Sequence, residues 1–116
     1  MTELIACLST GKGTWAEVSK LIAAEEWDNV FLITNEFGQQ KFSAKADFIL
    51  ISDRMPMKQL VSTIHSQLQN KVRGTEVAIN LSSGTGKEHM AILSAILKLG
   101  VGIRLVDIGL RGVIEV

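Results

Sequence analysis

The chain has 116 residues, with 12 Lys+Arg against 12 Asp+Glu and 47% hydrophobic residues. That length accommodates one compact domain over residues 1–116, and a composition in the globular range excludes disorder. The charge balance argues against a nucleic-acid coat, which needs a basic excess gathered on one face, so duplex nucleic acid is not an expected partner.

The first element is a strand over 4–8, Leu4-Ile5-Ala6-Cys7-Leu8, whose apolar side chains continue on both faces and mark a central position. The lone cysteine, Cys7, cannot form an intramolecular disulfide and reads as a core residue suited to a reducing cytoplasm. Met1-Thr2-Glu3 and this short run make no signal peptide, and no apolar stretch approaches membrane-spanning length, so the expectation is a cytoplasmic protein with no membrane contact. Thr14 and Glu17 have capping-box spacing, and Trp15, Val18, Leu21 and Ile22 continue a helix to about Ala24. Glu25-Glu26 and Asp28 form its solvated end, while Trp15 and Trp27 read as core or interface residues.

A second buried strand follows over 30–34, then a polar stretch over 35–46 that suits a short helix or loop, then a third strand over 48–51. Pro56 fits a first helical turn, and Met57, Leu60, Val61, Ile64 and Leu68 make one apolar stripe ending near Lys71, before a turn at Gly74. The fourth strand covers 77–81. Thr85 and Glu88 form a second capping-box pair, opening a helix with Ile92, Leu93, Ile96, Leu97 and Leu99 that Gly100 stops. A fifth strand over 101–106 and a turn over 109–112 lead to an antiparallel edge strand over 113–116. The fold class is therefore α/β: a Rossmann-like, open, mostly parallel sheet flanked by helices, with an antiparallel C-terminal edge hairpin.

In such sheets ligands bind beyond the carboxyl ends of the strands, where loops lead into helix amino termini that favour anions. Two loops combine hydroxyls, glycines and a lysine: Ser9, Thr10, Gly11, Lys12, Gly13 and Thr14 after strand one, and Ser82, Ser83, Gly84, Thr85, Gly86 and Lys87 after strand four. In the usual doubly wound order these strands are neighbours, so the loops face one crevice. Glycines and hydroxyls also close ordinary turns and cap helices. A lysine at a positive helix end, however, opposes the dipole unless an anion is expected, which favours a phosphate-bearing ligand.

A triphosphate P-loop is excluded, because its first glycine and final hydroxyl fall on Leu81 and Glu88 around Lys87, and on Ala6 and Gly13 around Lys12. A dinucleotide fingerprint survives in part: Gly11-x-Gly13-x-x-Ala16 opens a helix and Glu36 follows about 20 residues on. His65 and His89 have no cysteine partners at metal spacing, so no metal or other cofactor is expected; His89 suits either a surface position or a ligand contact.

The segment Ile79-Asn80-Leu81-Ser82-Ser83-Gly84-Thr85-Gly86-Lys87-Glu88-His89-Met90-Ala91 resembles the CARF family, the CRISPR-associated Rossmann-fold sensor domains of antiviral signalling. The likeness extends to the first loop, from Leu8 to Lys12, and to the closing hairpin from Val106-Asp107 to Val116. Ser82-Ser83 replaces the family's Thr-Gly, and Gly86 adds a residue before Lys87. The resemblance implies a homodimer that binds cyclic oligoadenylate across its two-fold axis. Lys87 and the turn from Ser82 to Thr85 would contact the phosphate-ribose ring, Asn80 would end the strand, and Ser9 and Thr10 would line the same pocket. It also implies an effector domain, which would lie C-terminal to this segment. Sensing is the first expectation. A metal-independent ring nuclease is the second, in which a ribose 2′-hydroxyl attacks its own phosphate, with Ser9, Thr10, Lys12 and Lys87 as candidate catalytic groups. An unrelated nucleotide- or dinucleotide-binding domain is the third.

Overall fold

The structure is a computed structural model and describes residues 2–8 and 14–116. In chain order its elements are β1 (Glu3–Cys7), α1 (Trp15–Ala24), β2 (Val30–Thr34), α2 (Glu36–Lys41), β3 (Asp47–Leu50), α3 (Met57–Gln69), β4 (Glu76–Asn80), α4 (Gly86–Leu99), β5 (Gly102–Gly109) and β6 (Gly112–Glu115). One sheet takes all six strands in the order β3-β2-β1-β4-β5-β6. Every pairing is parallel except β5 with β6, as the unbroken apolar runs and the closing glycine turn predict.

The strand order follows from how the helices cover the sheet. Alternate residues of β1 serve opposite faces: Leu4 and Ala6, with Leu8 just beyond, pack with Trp15, Val18 and Leu21 of α1. Ile5 and Cys7 pack with Leu60, Ile64 and Leu68 of α3 and with Ala91, Ile92, Ala95 and Ile96 of α4. Fully burying each of these aliphatic side chains contributes about 1.5–3 kcal/mol, which is why a strand apolar on both sides sits in the centre. The chain moves outward from β1 through β2 to β3, then returns through α3 to place β4 on the other side of β1. Strand order reverses there, with Ala6 opposite Asn80.

Three local features differ from the sequence expectation. β1 begins at Glu3, whose buried carboxylate accepts from the N–H groups of Arg73 and Gly74 at 2.8 and 2.9 Å and from Asn29 Nδ2 at 3.4 Å. Charged hydrogen bonds to backbone offset the cost of burying that group, and they fasten the α3–β4 turn to the sheet. Thr14 stands at the N-cap of α1 without making a side-chain cap, so the expected box with Glu17 does not form; Glu17 lies 3.8 Å from Lys20 instead. β5 runs on to Gly109, leaving only Leu110 and Arg111 in the hairpin turn, with Gly112 at φ 118°.

The polar stretch after β2 resolves into the short helix α2, capped by Asn35, whose side-chain oxygen accepts from the Gly38 N–H at 3.0 Å. α2 sits tightly on the end of β2: a Cβ at Gly38 would overlap the Thr34 hydroxyl, which itself donates to the Leu8 carbonyl at 3.1 Å. Among the described residues no helix is long and apolar enough to cross a membrane.

Candidate anion and nucleotide site

β1 and β4 lie side by side and point their carboxyl ends the same way. The chain therefore leaves the sheet at Leu8 and at Leu81 on one rim. Ser9, Thr10, Gly11, Lys12 and Gly13 lie outside the described residues, so the described half of the expected crevice is the β4–α4 loop.

That loop is built on Asn80, which is 3% exposed. Its Nδ2 donates to the Val106 carbonyl of β5 at 2.9 Å, while its Oδ1 accepts from the Ser82 N–H at 3.2 Å. One amide thus ties the loop's first turn to the neighbouring strand. Ser83 is buried as well, and its carbonyl lies 2.8 Å from His89 Nε2. A carbonyl can only accept, so that ring nitrogen carries the proton. Gly84, at φ 109°, lets the chain pass over Cys7, where a Cβ would lie only 2.6 Å from the sulfur.

The capping box expected at α4 is complete. Thr85 Oγ1 accepts from the Glu88 N–H at 3.1 Å, and Glu88 Oε1 accepts from the Thr85 N–H at 2.8 Å. The same oxygen is 3.8 Å from Cys7 Sγ, so the acidic side chain turns inward, under the loop. Asn80, Ser83, Thr85, Glu88 and His89 therefore hold the loop's shape. Ser82, Gly86 and Lys87 are exposed, with Ser82 Oγ 3.4 Å from an Asp107 carboxylate oxygen and Lys87 Nζ 3.4 Å from the Asp53 carbonyl.

Hydroxyl, cation and the positive end of a 14-residue helix meet at this surface, with the Asp107 carboxylate at its edge accepting from the Ser82 hydroxyl. The chemistry they offer is recognition of an anion with hydrogen-bond acceptors, such as a phosphate. Among the described residues no three His, Cys, Asp or Glu side chains are arranged to hold a metal ion.

Burial, and secondarily the nearby Glu88 carboxylate, push the Cys7 thiol far above its usual range. A thiol so raised stays neutral and is a poor nucleophile, which makes Cys7 a packing residue. Because the folded value is the higher one, the stability linked to this proton is complete below about pH 9 and is lost as pH rises beyond it, where only the unfolded chain ionises. Urea unfolding at pH 8 and pH 10 is expected to show about 1–2 kcal/mol less stability at the higher pH, a loss that Cys7→Ala removes. An equal slope in both proteins would contradict the assignment.

A second feature of the same rim was not legible as a motif. At the carboxyl ends of β2 and β3 an open cavity of about 460 Å³ lies between Asn35, Glu36 and Phe37 on one side and Leu50, Ile51, Ser52, Asp53 and Met55 on the other. Two loops remote in sequence build it, and only Glu36 carried a signal, through its distance from the glycines of the first loop. The Asp53 carbonyl that Lys87 reaches belongs to its wall.

The fold is that of a Rossmann-like α/β domain whose switch point lies between β1 and β4, beside the polar β4–α4 loop. No protein-family model matches the sequence, and comparison with curated proteins returns no match.

Proposed function

We propose that this chain is a CARF-like domain that binds a cyclic oligoadenylate at the switch point between β1 and β4, as a homodimer and in the cytoplasm. The observation that carries the reading is the adjacency of β1 and β4, with Ala6 opposite Asn80. It starts the two hydroxyl-, glycine- and lysine-bearing loops from one rim, at the place where open α/β sheets take their ligands. Lys87 supplies charge-assisted contacts to phosphate, and Ser82 contributes a hydroxyl; Asn80 and Thr85 act by fixing the loop.

A two-fold symmetric ring presents equivalent phosphates, which equivalent loops from two copies match best. Apolar side chains support the second copy. Met90 and Leu97 on α4 are 62% and 68% exposed, and Leu105, Ile114 and Val116 on or just beyond the hairpin strands are also exposed.

Binding is favoured over cleavage because Glu88 and His89 are both engaged in holding the described loop, and the Asp107 oxygen beside Ser82 already accepts from the Ser82 hydroxyl and from the Ile108 N–H. The deciding experiment incubates the protein with labelled cyclic tri-, tetra- and hexa-adenylate in EDTA and follows retention, cleavage and mass by light scattering. The expected result is one ring retained intact by a dimer, with Lys87→Ala weakening retention by about 1.5–3 kcal/mol at unchanged melting temperature. Products ending in 2′,3′-cyclic phosphate would move the reading to a ring nuclease. Failure to retain any ring would overturn it.

A further inference from the structure

The outer surface of α3 and α4 carries a cavity that belongs neither to the rim of the sheet nor to the apolar side chains assigned to the second copy. We propose that it binds a small organic anion with an apolar body, the carboxylate or phosphate head held between His65 and Lys98 and the body laid over Met57 and Val61. The inference stands independently of the ring reading.

Helical spacing builds the site. Steps of four residues bring Met57, Val61 and His65 onto one flank of α3, with Lys58 and Ser62 one position on, and one such step joins Ser94 to Lys98 on α4. These residues line a cavity of about 550 Å³, within the roughly 300–1,000 Å³ of small-molecule sites. His65 and Lys98 also line a smaller cavity of about 170 Å³ with Val72, Leu99 and Val101, so the two residues stand at the waist of one furrow.

Charge selects the ligand's head. α3 has no acidic residue, and the one acid of α4, Glu88, turns inward under its loop. Lys58 and Lys98 therefore set a field of a single sign over the cavity, although the chain as a whole carries no net charge. The side chains of Lys58, Ser62, His65, Ser94 and Lys98 make no hydrogen bond or ion pair with another described residue. Two ammonium groups, two hydroxyls and an imidazole thus converge on one place, and an anionic oxygen is the partner that accepts from all three kinds of donor.

The floor selects the body. Val61 is buried in the core and Met57 packs against it half-buried, so both offer an apolar surface between the donors. Met90 and Leu97, the exposed apolar residues of α4, do not line the cavity. It is therefore a bounded depression suited to a small molecule, and not part of the wider apolar surface that a protein partner would cover.

The test titrates decanoate, decyl phosphate, decanol and acetate into the wild-type chain and follows amide chemical shifts residue by residue. Lys98→Gln, Lys98→Glu, Ser62→Trp, which fills the cavity from an exposed helix position, and Lys45→Gln, a lysine outside it, are compared, each checked for an unchanged melting temperature. The expected result is saturable shifts on α3 and α4 with decanoate or decyl phosphate, the tighter of the two naming the head group, and binding about tenfold weaker with decanol and with acetate. Lys98→Gln should weaken the anionic ligand about fivefold and Lys98→Glu further, Ser62→Trp should abolish its binding, and Lys45→Gln should leave it unchanged. Equal affinity for decanol, or wild-type affinity in the Lys98 and Ser62 variants, overturns the site. Shifts on α3 and α4 that follow protein concentration and not ligand would mean that a second copy covers the furrow, and binding only to anionic vesicles would mean a membrane surface; either overturns it.

Discussion

Replacing Asn80 with Asp is expected to cost about 3–4 kcal/mol at pH 7 and progressively less as the solution is acidified. The two side chains have nearly the same shape, so the effect isolates one proton. An ionised carboxylate cannot donate to the Val106 carbonyl 2.9 Å away, and it would be buried at a position only 3% exposed. Protonation restores a donor for Val106 while the other oxygen still accepts from Ser82. Protonating an ordinary carboxyl at pH 7 costs about 4 kcal/mol, which caps the penalty. Burial raises the folded-state value above that of the unfolded chain, so the variant has its full stability near pH 4 and loses it as pH rises through the folded value. Urea unfolding of wild type and Asn80→Asp at pH 7, 5.5 and 4.5 should show the difference shrinking by about 1.4 kcal/mol per unit. A penalty independent of pH would mean that this amide does not bridge β4 and β5.

The parts of the fold that rest on apolar continuity were legible from the sequence. The runs in β1 and β2 have no polar face, and such strands have only the centre of a covered sheet to occupy. What rests on backbone conformation was not. Thr14 and Thr85 carry the same spacing to a glutamate, yet only Thr85 forms a capping box. Thr85 is extended, with ψ 162°, whereas Thr14 has ψ 2°, and an N-cap side chain reaches its N–H group from an extended backbone. The difference is set by how the chain enters each helix, which residue spacing does not encode. Glu3 was hidden because a charged residue reads as the exterior, and its satisfaction by Arg73 and Gly74 comes from a turn about seventy residues away.

The candidate site divides along the same line. Ser82, Thr85 and Lys87 were recognisable by residue type at the end of an apolar strand. The roles of Asn80, Ser83 and His89 as internal ties required the geometry, since a buried amide and an exposed one look alike in sequence. The 2.8 Å contact of His89 with the Ser83 carbonyl accounts for that histidine through loop structure. The pocket at Glu36 and Phe37 depends on α2 and the β3–α3 loop meeting, a contact between segments that share no motif.

Gly84→Ala is expected to lose about 2–4 kcal/mol of stability and to weaken ring binding beyond what partial unfolding explains. Two independent costs combine. At φ 109° a side chain meets the backbone strain that glycine avoids, on the order of 1–2 kcal/mol. The new Cβ would also stand 2.6 Å from Cys7 Sγ, 3.0 Å from His89 Nε2 and 3.1 Å from Glu88 Oε1, so the loop must lift, an overpacking cost of about 1–3 kcal/mol. The two costs can be separated by a cycle with Cys7→Ala, which removes the nearest obstructing atom but leaves φ unchanged. Introducing Gly84→Ala into the Cys7→Ala background should therefore cost about 1 kcal/mol less than in the wild type, a positive coupling between residues in contact. Lifting the loop also shifts Ser82 and Lys87 relative to the rim, so the double variant should regain part of the lost ring affinity along with the stability. Identical costs in both backgrounds would show that the Gly84 backbone does not rest on Cys7, and wild-type stability in Gly84→Ala would show that the loop does not hold this conformation.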